Sequence, residues 1–250
     1  MPLIFVRSLI FNVLFYALMV VWIVVILPSF ILPRRVMIAI AKAWALHNLW
    51  LMRLVCGTRV EFRHAERIPK GPLIVASKHQ SMWETFALVR LLDDPLYILK
   101  RELLWIPFFG WYLKKAGMIG IDRTAGGRAL LNMMRRARDQ VRNGRQLVIF
   151  PEGTRRPVDA PPEYKPGVGQ MYVQFGVPCV PVALNSGLFW PRRTFMRYPG
   201  TIVVECLEVV PPGLSRDAFL GRIEQAIEAA TARIVAEARA EQAKLFKRDG

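Results

Sequence analysis

Acidic residues are scarce in this chain. Its 250 residues include 19 Asp and Glu against 35 Lys and Arg, a formal net charge of +16. A surface so poor in negative charge attracts acidic partners: nucleic acid, anionic lipid or a phosphorylated substrate. No zinc-finger spacing, aromatic RNA-binding signature or basic zipper region occurs, so no nucleic-acid partner is expected. Cysteine is rare as well. Cys56, Cys179 and Cys206 are odd in number, far apart and set among apolar neighbours. They read as small buried hydrophobes in a reducing compartment, and none sits in a loop beside a basic group as a reactive thiol does. Of the three histidines, His47 and His64 show no ligand-like spacing, and no metal or organic cofactor is implied. Internal repeats and low-complexity segments are missing too.

What is abundant is apolar surface: 53% of the residues are hydrophobic. The excess sits at the N-terminus. Residues 3–32 are almost wholly apolar, and the run 9–27 approaches the roughly 20 residues that cross a bilayer. It is longer than the core of a signal peptide and has no small-residue cleavage site. Pro28 and Pro33 end it, followed at once by Arg34 and Arg35. By the positive-inside rule, this pair keeps the rest of the chain in the cytoplasm, on the inner face of the cytoplasmic membrane. In the first 70 residues nine Lys and Arg face two Glu, which favours a bilayer with anionic lipid as partner. A second apolar stretch, residues 36–55, places Val36, Ile40, Ala43, Trp44, Trp50, Leu51 and Leu54 on one broad helical face. It reads either as an amphipathic helix in the headgroup region, or re-entering one leaflet with the first helix, or as a core helix. Residues 1–56 are therefore expected to form a membrane-embedded two-helix segment.

Residues 57–250 form the second unit. Short apolar runs at 59–63, 72–76, 96–99, 118–121, 147–150, 179–184 and 202–210 read as strands. Helical periodicity lies between them: Leu130, Met133, Met134, Ala137 and Val141 in 127–142, with Gly144 as the stop. Ser215 is placed to cap a final helix striped by Phe219, Ile223, Ile227, Ala230 and Ile234. This alternation predicts an α/β domain with a mixed or parallel sheet flanked by helices.

Three constellations carry chemistry. Ser77-Lys78-His79-Gln80-Ser81-Met82-Trp83-Glu84 follows the apolar run 72–76, where open α/β sheets place their active sites. On one helix, His79 and Glu84 would point about 140° apart. They meet only if His79 lies in the turn and the helix starts after it, with Ser81 as its cap. Glu84 then either orients the imidazole as a base or merely closes a capping box with Ser81. Next come Lys100-Arg101-Glu102, the uncharged aromatic stretch 107–111, and Ile121-Asp122-Arg123. Lys100 and Arg123 offer cations to a phosphate, while 107–111 lines an apolar groove or fills core. Last is Phe150-Pro151-Glu152-Gly153-Thr154-Arg155-Arg156, with Lys165 a further cation. It is a phosphate loop or a structural turn with solvated arginines.

In this order, the blocks resemble the glycerolipid acyltransferase family, over roughly residues 55–190. The resemblance implies that His79 and Glu84 are the catalytic pair, though the family's usual acidic residue is Asp. It implies that Lys100, Arg123, Glu152, Gly153, Thr154 and Arg155 hold the acceptor phosphate, and that 177–182 is an apolar strand on the acyl side. Ser81 and Lys165 are possible additions. The implied reaction moves an acyl group from acyl-CoA or acyl-carrier protein to a lysophospholipid, foremost lysophosphatidic acid. Alternatives are another lysophospholipid, a lyso-aminolipid or glycerol 3-phosphate as acceptor, or a non-catalytic binder of anionic lipid.

Overall fold

The structure is a computed structural model that describes residues 2–122 and 126–248. The strands are β1 (Thr58–Arg63), β2 (Leu73–Ser77), β3 (Pro95–Lys100), β4 (Ile119–Ile121), β5 (Gln146–Ile149), β6 (Cys179–Leu184) and β7 (Gly200–Cys206). Among the described residues they form one sheet in the order β1-β7-β6-β2-β5-β3-β4. The run from β6 to β4 is parallel throughout, β7 joins β6 antiparallel, and β1 lies parallel to β7. The helices are α1 (Pro2–Ile26), α2 (Arg34–Cys56), α3 (Trp83–Ala87), α4 (Phe109–Lys115), α5 (Gly126–Arg142), α6 (Pro166–Phe175) and α7 (Arg216–Arg248).

The sheet is covered on both faces, which is why its central strands read as unbroken apolar runs. In β2 every residue is buried. Ile74 and Ala76 join the core made with α5, α6 and α7, whereas Leu73 and Val75 join the one made with α1, α2 and α3. The predicted stripe of α7, from Phe219 to Ile234, lies wholly in the first of these cores. Ser215 starts that helix by accepting the Ala218 N–H at 3.3 Å. Each fully buried Leu, Ile or Phe contributes about 1.5–3 kcal/mol, so this stripe is what docks the helix.

Three expectations shift. The strand expected over 202–210 ends at Cys206, and Val210 returns as a single antiparallel bridge to Cys179. Pro211 and Pro212 offer no N–H with which to extend it. In α5, Met133, Met134, Ala137 and Val141 are buried but Leu130 is 40% exposed, so the packed face begins at Met133. In α2, Leu51 alone of the seven residues assigned to the apolar face is fully buried. The packed face is instead Met37, Ile38, Ala45, Leu49, Leu51, Met52 and Cys56, with Leu46, Trp50 and Leu54 turned outward. This helix is at once a layer of the core and the bearer of an exposed apolar edge.

Residues Pro2–Ile31 are long and apolar enough to cross a membrane, with only 17% of the span's most apolar window buried. The polar residues of α1 are where it docks. Ser8 Oγ accepts the Arg197 N–H at 2.9 Å, and Asn12 Nδ2 donates to the Phe195 carbonyl at 3.0 Å. Arg197 Nη2 donates back to Asn12 Oδ1 at 3.0 Å, and its guanidinium lies 4.2 Å from the Trp190 ring centre. Polar groups on an apolar helix are tolerated where a partner meets each one. For Ser8 and Asn12 the partners outside the helix come from the loop after β6, and for the Trp22 indole N–H the partner is His47 of α2.

Candidate active site

β2 hands the chain to the site. The Lys78 N–H still donates to the Val182 carbonyl at 3.0 Å, so the strand is anchored up to the residue before His79. The chain then turns through Gln80, Ser81 and Met82 into α3. Ser81 Oγ accepts the Trp83 N–H at 3.1 Å, and Glu84 Oε1 accepts the Ser81 N–H at 2.7 Å. That is a reciprocal cap of the kind the spacing predicted. The same Oε1 accepts the Gln80 N–H at 2.7 Å and lies 2.9 Å from His79 Nδ1. The two readings of Glu84 therefore do not exclude each other, since one carboxylate oxygen makes both contacts.

Glu84 is completely buried. Its other oxygen, Oε2, accepts the Ser186 hydroxyl at 2.7 Å. A buried carboxylate is costly unless donors surround it, and four do so here. Because Oε1 is an acceptor, the proton between it and the imidazole belongs to Nδ1, which leaves the Nε2 lone pair free to take a proton. The imidazole is 13% exposed and stacks on Phe150, centroids 3.9 Å apart and planes 16° apart. The Gln80 and Ser81 amides are occupied by Glu84, so an oxyanion would need other donors.

Beside the pair lies a second ionic cluster. Lys78 Nζ donates to Glu152 Oε1 at 3.0 Å and to Glu228 Oε1 at 2.8 Å. Lys78 and Glu152 are buried to within 2%. Burial raises the Glu152 carboxyl above its ordinary range and the Lys78 ammonium draws it back. Tyr164 Oη also donates to Glu228, at 3.0 Å. Glu152 thus departs from its expected part in holding a phosphate. It is an enclosed anion paired with Lys78, and its charge would repel a phosphate. It ties the end of β5 to the end of β2 and, through Glu228, to α7.

The remaining candidates surround the same end of the sheet. β2, β5 and β3 are parallel neighbours, so their carboxyl ends lie side by side at the usual spacing of about 4.8 Å per strand. His79 follows β2, Gly153 to Arg155 follow β5, and Lys100 closes β3. Gly153 has φ +66° and its N–H donates to the Phe150 carbonyl at 2.8 Å, a turn that L side chains resist. Thr154 and Lys100 are exposed and Arg155 is half-buried. Among the described residues the Lys100 and Arg155 side chains have no ion-pair partner. Lys165, by contrast, pairs with Glu163. Arg123 lies outside the described residues. The aromatic stretch is not core: Phe108, Phe109 and Trp111 are 41%, 42% and 50% exposed. Cys56, Cys179 and Cys206 are free and buried, and burial pushes the Cys206 thiol up to about 12, far from a nucleophile at neutral pH.

Reading the sequence missed Ser186, Gln80 and Lys78. Gln80 Oε1 accepts the Gly187 N–H at 3.0 Å and so holds the Ser186 turn against the site. Lys78 was readable in part, because a lysine at the end of a buried strand requires an anion nearby. Ser186 had no local signal.

An imidazole braced by a buried carboxylate at the carboxyl end of a parallel sheet is the equipment of a group-transfer enzyme working by general-base chemistry. The family model described as Acyltransferase matches residues 59–185, and the chain belongs to that family. It is 38% identical over 203 residues to the 1-acyl-sn-glycerol-3-phosphate acyltransferase of Pseudomonas aeruginosa, across 80% of this chain and 78% of the relative. To the alpha form of the same-named human enzyme it is 33% identical over 181 residues, across 68% of this chain and 64% of the relative. The fold matches the crystal structure of the 1-acyl-sn-glycerophosphate (LPA) acyltransferase of Thermotoga maritima. The TM-score is 0.79 at 23% identity, over 92% of this chain and 96% of that one.

Proposed function

We propose that this protein transfers a fatty acyl group from a thioester to the sn-2 hydroxyl of lysophosphatidic acid, giving phosphatidic acid. The observation that carries the reading is the His79–Glu84 contact of 2.9 Å, which leaves Nε2 as a base. Nε2 takes the hydroxyl proton while the oxygen attacks the thioester carbonyl. The tetrahedral intermediate expels the thiolate, and the imidazolium returns the proton to it. The thiolate leaves readily, so the one histidine serves both steps. Glu84 holds the ring and stabilises the imidazolium.

Lys100, Arg155 and Arg123 supply the cations for the acceptor phosphate, with the Gly153-Thr154 turn shaping the approach. Holding the phosphate fixes the hydroxyl, and such positioning contributes at most about 7–11 kcal/mol of the barrier. The co-substrate is acyl-CoA or acyl-carrier protein, and the proposed steps call on no metal or organic cofactor. Residues 1–56 serve as the membrane segment and 57–250 as the catalytic domain, at the inner face of the cytoplasmic membrane. Both acceptor and product are lipids, and an exposed α1 keeps the site where they reside.

The test is acyl transfer by the detergent-purified protein from long-chain acyl-CoA, then acyl-carrier protein, to lysophosphatidic acid. The same assay offers monoacylglycerol, other lysophospholipids, a lyso-aminolipid and glycerol 3-phosphate in competition. Phosphatidic acid is expected, with monoacylglycerol, which lacks the phosphate, slower by at least about a hundredfold. Preference for any of the others overturns the choice of acceptor.

A further inference from the structure

We infer that Ser186 is a positioning residue of the catalytic pair, acting on His79 through the far oxygen of Glu84. The inference rests on the proposal that His79 is the base. Oε1 of Glu84 is saturated by the Gln80 amide, the Ser81 amide and His79 Nδ1. Oε2 has one donor among the described residues, the Ser186 hydroxyl, in a place with no solvent access. Without it, half of a buried carboxylate is left bare. The carboxylate then draws harder on the imidazole proton.

The mounting of Ser186 is as rigid as that of Glu84. Asn185, completely buried, follows β6: its Oδ1 accepts the Val203 N–H at 2.8 Å, and its Nδ2 donates to the Ile234 carbonyl at 3.3 Å. The Ser186 carbonyl accepts the N–H groups of Phe189 and Trp190 at 3.1 and 2.8 Å. A Cβ built on Gly187 would come within 3.0 Å of Gln80 Cβ and 2.8 Å of Val158 Cγ2, so only glycine lets the turn sit this close. These contacts spend four neighbouring residues on one hydroxyl. β6 is the parallel neighbour of β2, so the hydroxyl arrives from the strand beside the one that carries His79. A carboxylate with a glutamate's extra methylene is thereby held from two sides.

The experiment compares wild type, Ser186→Ala, Ser186→Cys, Glu84→Gln and the Glu84→Gln/Ser186→Ala double variant by kcat, KM and the pH dependence of kcat, with thermal melts as a check of folding. The expected result for Ser186→Ala is a fall in kcat of about tenfold with KM for both substrates unchanged. The unshielded carboxylate favours the imidazolium, so the acidic limb of the kcat profile moves to higher pH by roughly half to one unit. In the Glu84→Gln background, the same Ser186→Ala change lowers the residual kcat by less than about twofold. Ser186→Cys keeps the volume with a weaker donor, and moves the limb in the same direction by less. Any of three results overturns the inference: an unmoved acidic limb in both single variants, an equal loss in the Glu84→Gln background, or an effect confined to KM. His79→Ala, assayed alongside, tests the base itself, so a failure of the general-base reading is separable from a failure of this one.

Discussion

Replacing His79 by alanine lowers kcat near neutral pH by about 10²–10⁴, the usual worth of a positioned general base, and leaves KM for the acceptor within about threefold. The cations proposed to hold the phosphate follow other strands, Lys100 at the end of β3 and Arg155 after β5, so on that proposal acceptor affinity does not run through the imidazole. Folding should be largely kept. The ring is stacked on Phe150 at one face of the site and is still 13% exposed, so its loss opens onto solvent rather than leaving a sealed cavity. Glu84 keeps three donors, the two amides and Ser186. Steady-state kinetics with a circular-dichroism melt settles the matter, and added imidazole is expected to restore part of the lost rate. Activity within tenfold of wild type, in folded protein, would show that His79 is not the base.

Replacing Lys78 by methionine has the largest expected effect on stability. It leaves Glu152 enclosed without its hydrogen-bonded cation, with the Arg156 guanidinium 3.8 Å away as the remaining one, and removing one member of a buried pair costs about 3–5 kcal/mol. For a chain of this size that corresponds to a melting temperature lower by roughly 6–20 °C. The deficit depends on pH with a definite sign. Burial already raises the Glu152 carboxyl, and Lys78 is the main influence drawing it down. In the variant the folded-state value rises further above the unfolded one. A protonated Glu152 is tolerated, so the variant is most stable below the ordinary carboxylate range and loses stability as pH climbs through the raised value. Wild type has a slope of the same sign and smaller size, because Lys78 holds the raised carboxyl down. Adding Glu152→Leu to Lys78→Met should recover most of the loss, because it removes the stranded charge, while Glu228 at 28% exposure still reaches solvent. Melts of the three proteins between pH 4 and 8 test this, and a single variant as stable as wild type at pH 8 would contradict it.

The cluster also bears on activity. Lys78 precedes His79, and its two carboxylates come from β5's end and from α7. A loss of kcat in Lys78→Met would therefore report a displaced turn rather than a missing chemical group, and would be recovered along with stability in the double variant.

Much of the molecule was readable before folding, for reasons that can be named residue by residue. The parallel strands are continuous apolar runs because both faces of the sheet are covered, so 72–76 and 179–184 announced themselves within one residue of β2 and β6. The α7 stripe appeared at its helical period. The His79–Glu84 arrangement was legible because it is local: Ser81 caps a helix whose second residue is Glu84, and five residues of turn geometry settle the rest.

What was not legible lies across long stretches of chain. Ser186 reaches Glu84 over 102 positions and Lys78 reaches Glu152 over 74. No period, cap or spacing links such partners, because what joins them is the order of strands in the sheet. Glu152 looked like part of a phosphate loop by its neighbours in sequence, and it is the neighbouring strand that makes it an enclosed ion-pair partner. The outward edge of α2 was likewise hidden. An apolar helix advertises how much hydrophobic surface it has, but which part of that surface meets the sheet is chosen by packing against Phe11, Phe15 and the strands. Short-range sterics and burial periodicity are written residue by residue along the chain. Pairings between strands exist only once the β6-β2-β5 order brings their ends together.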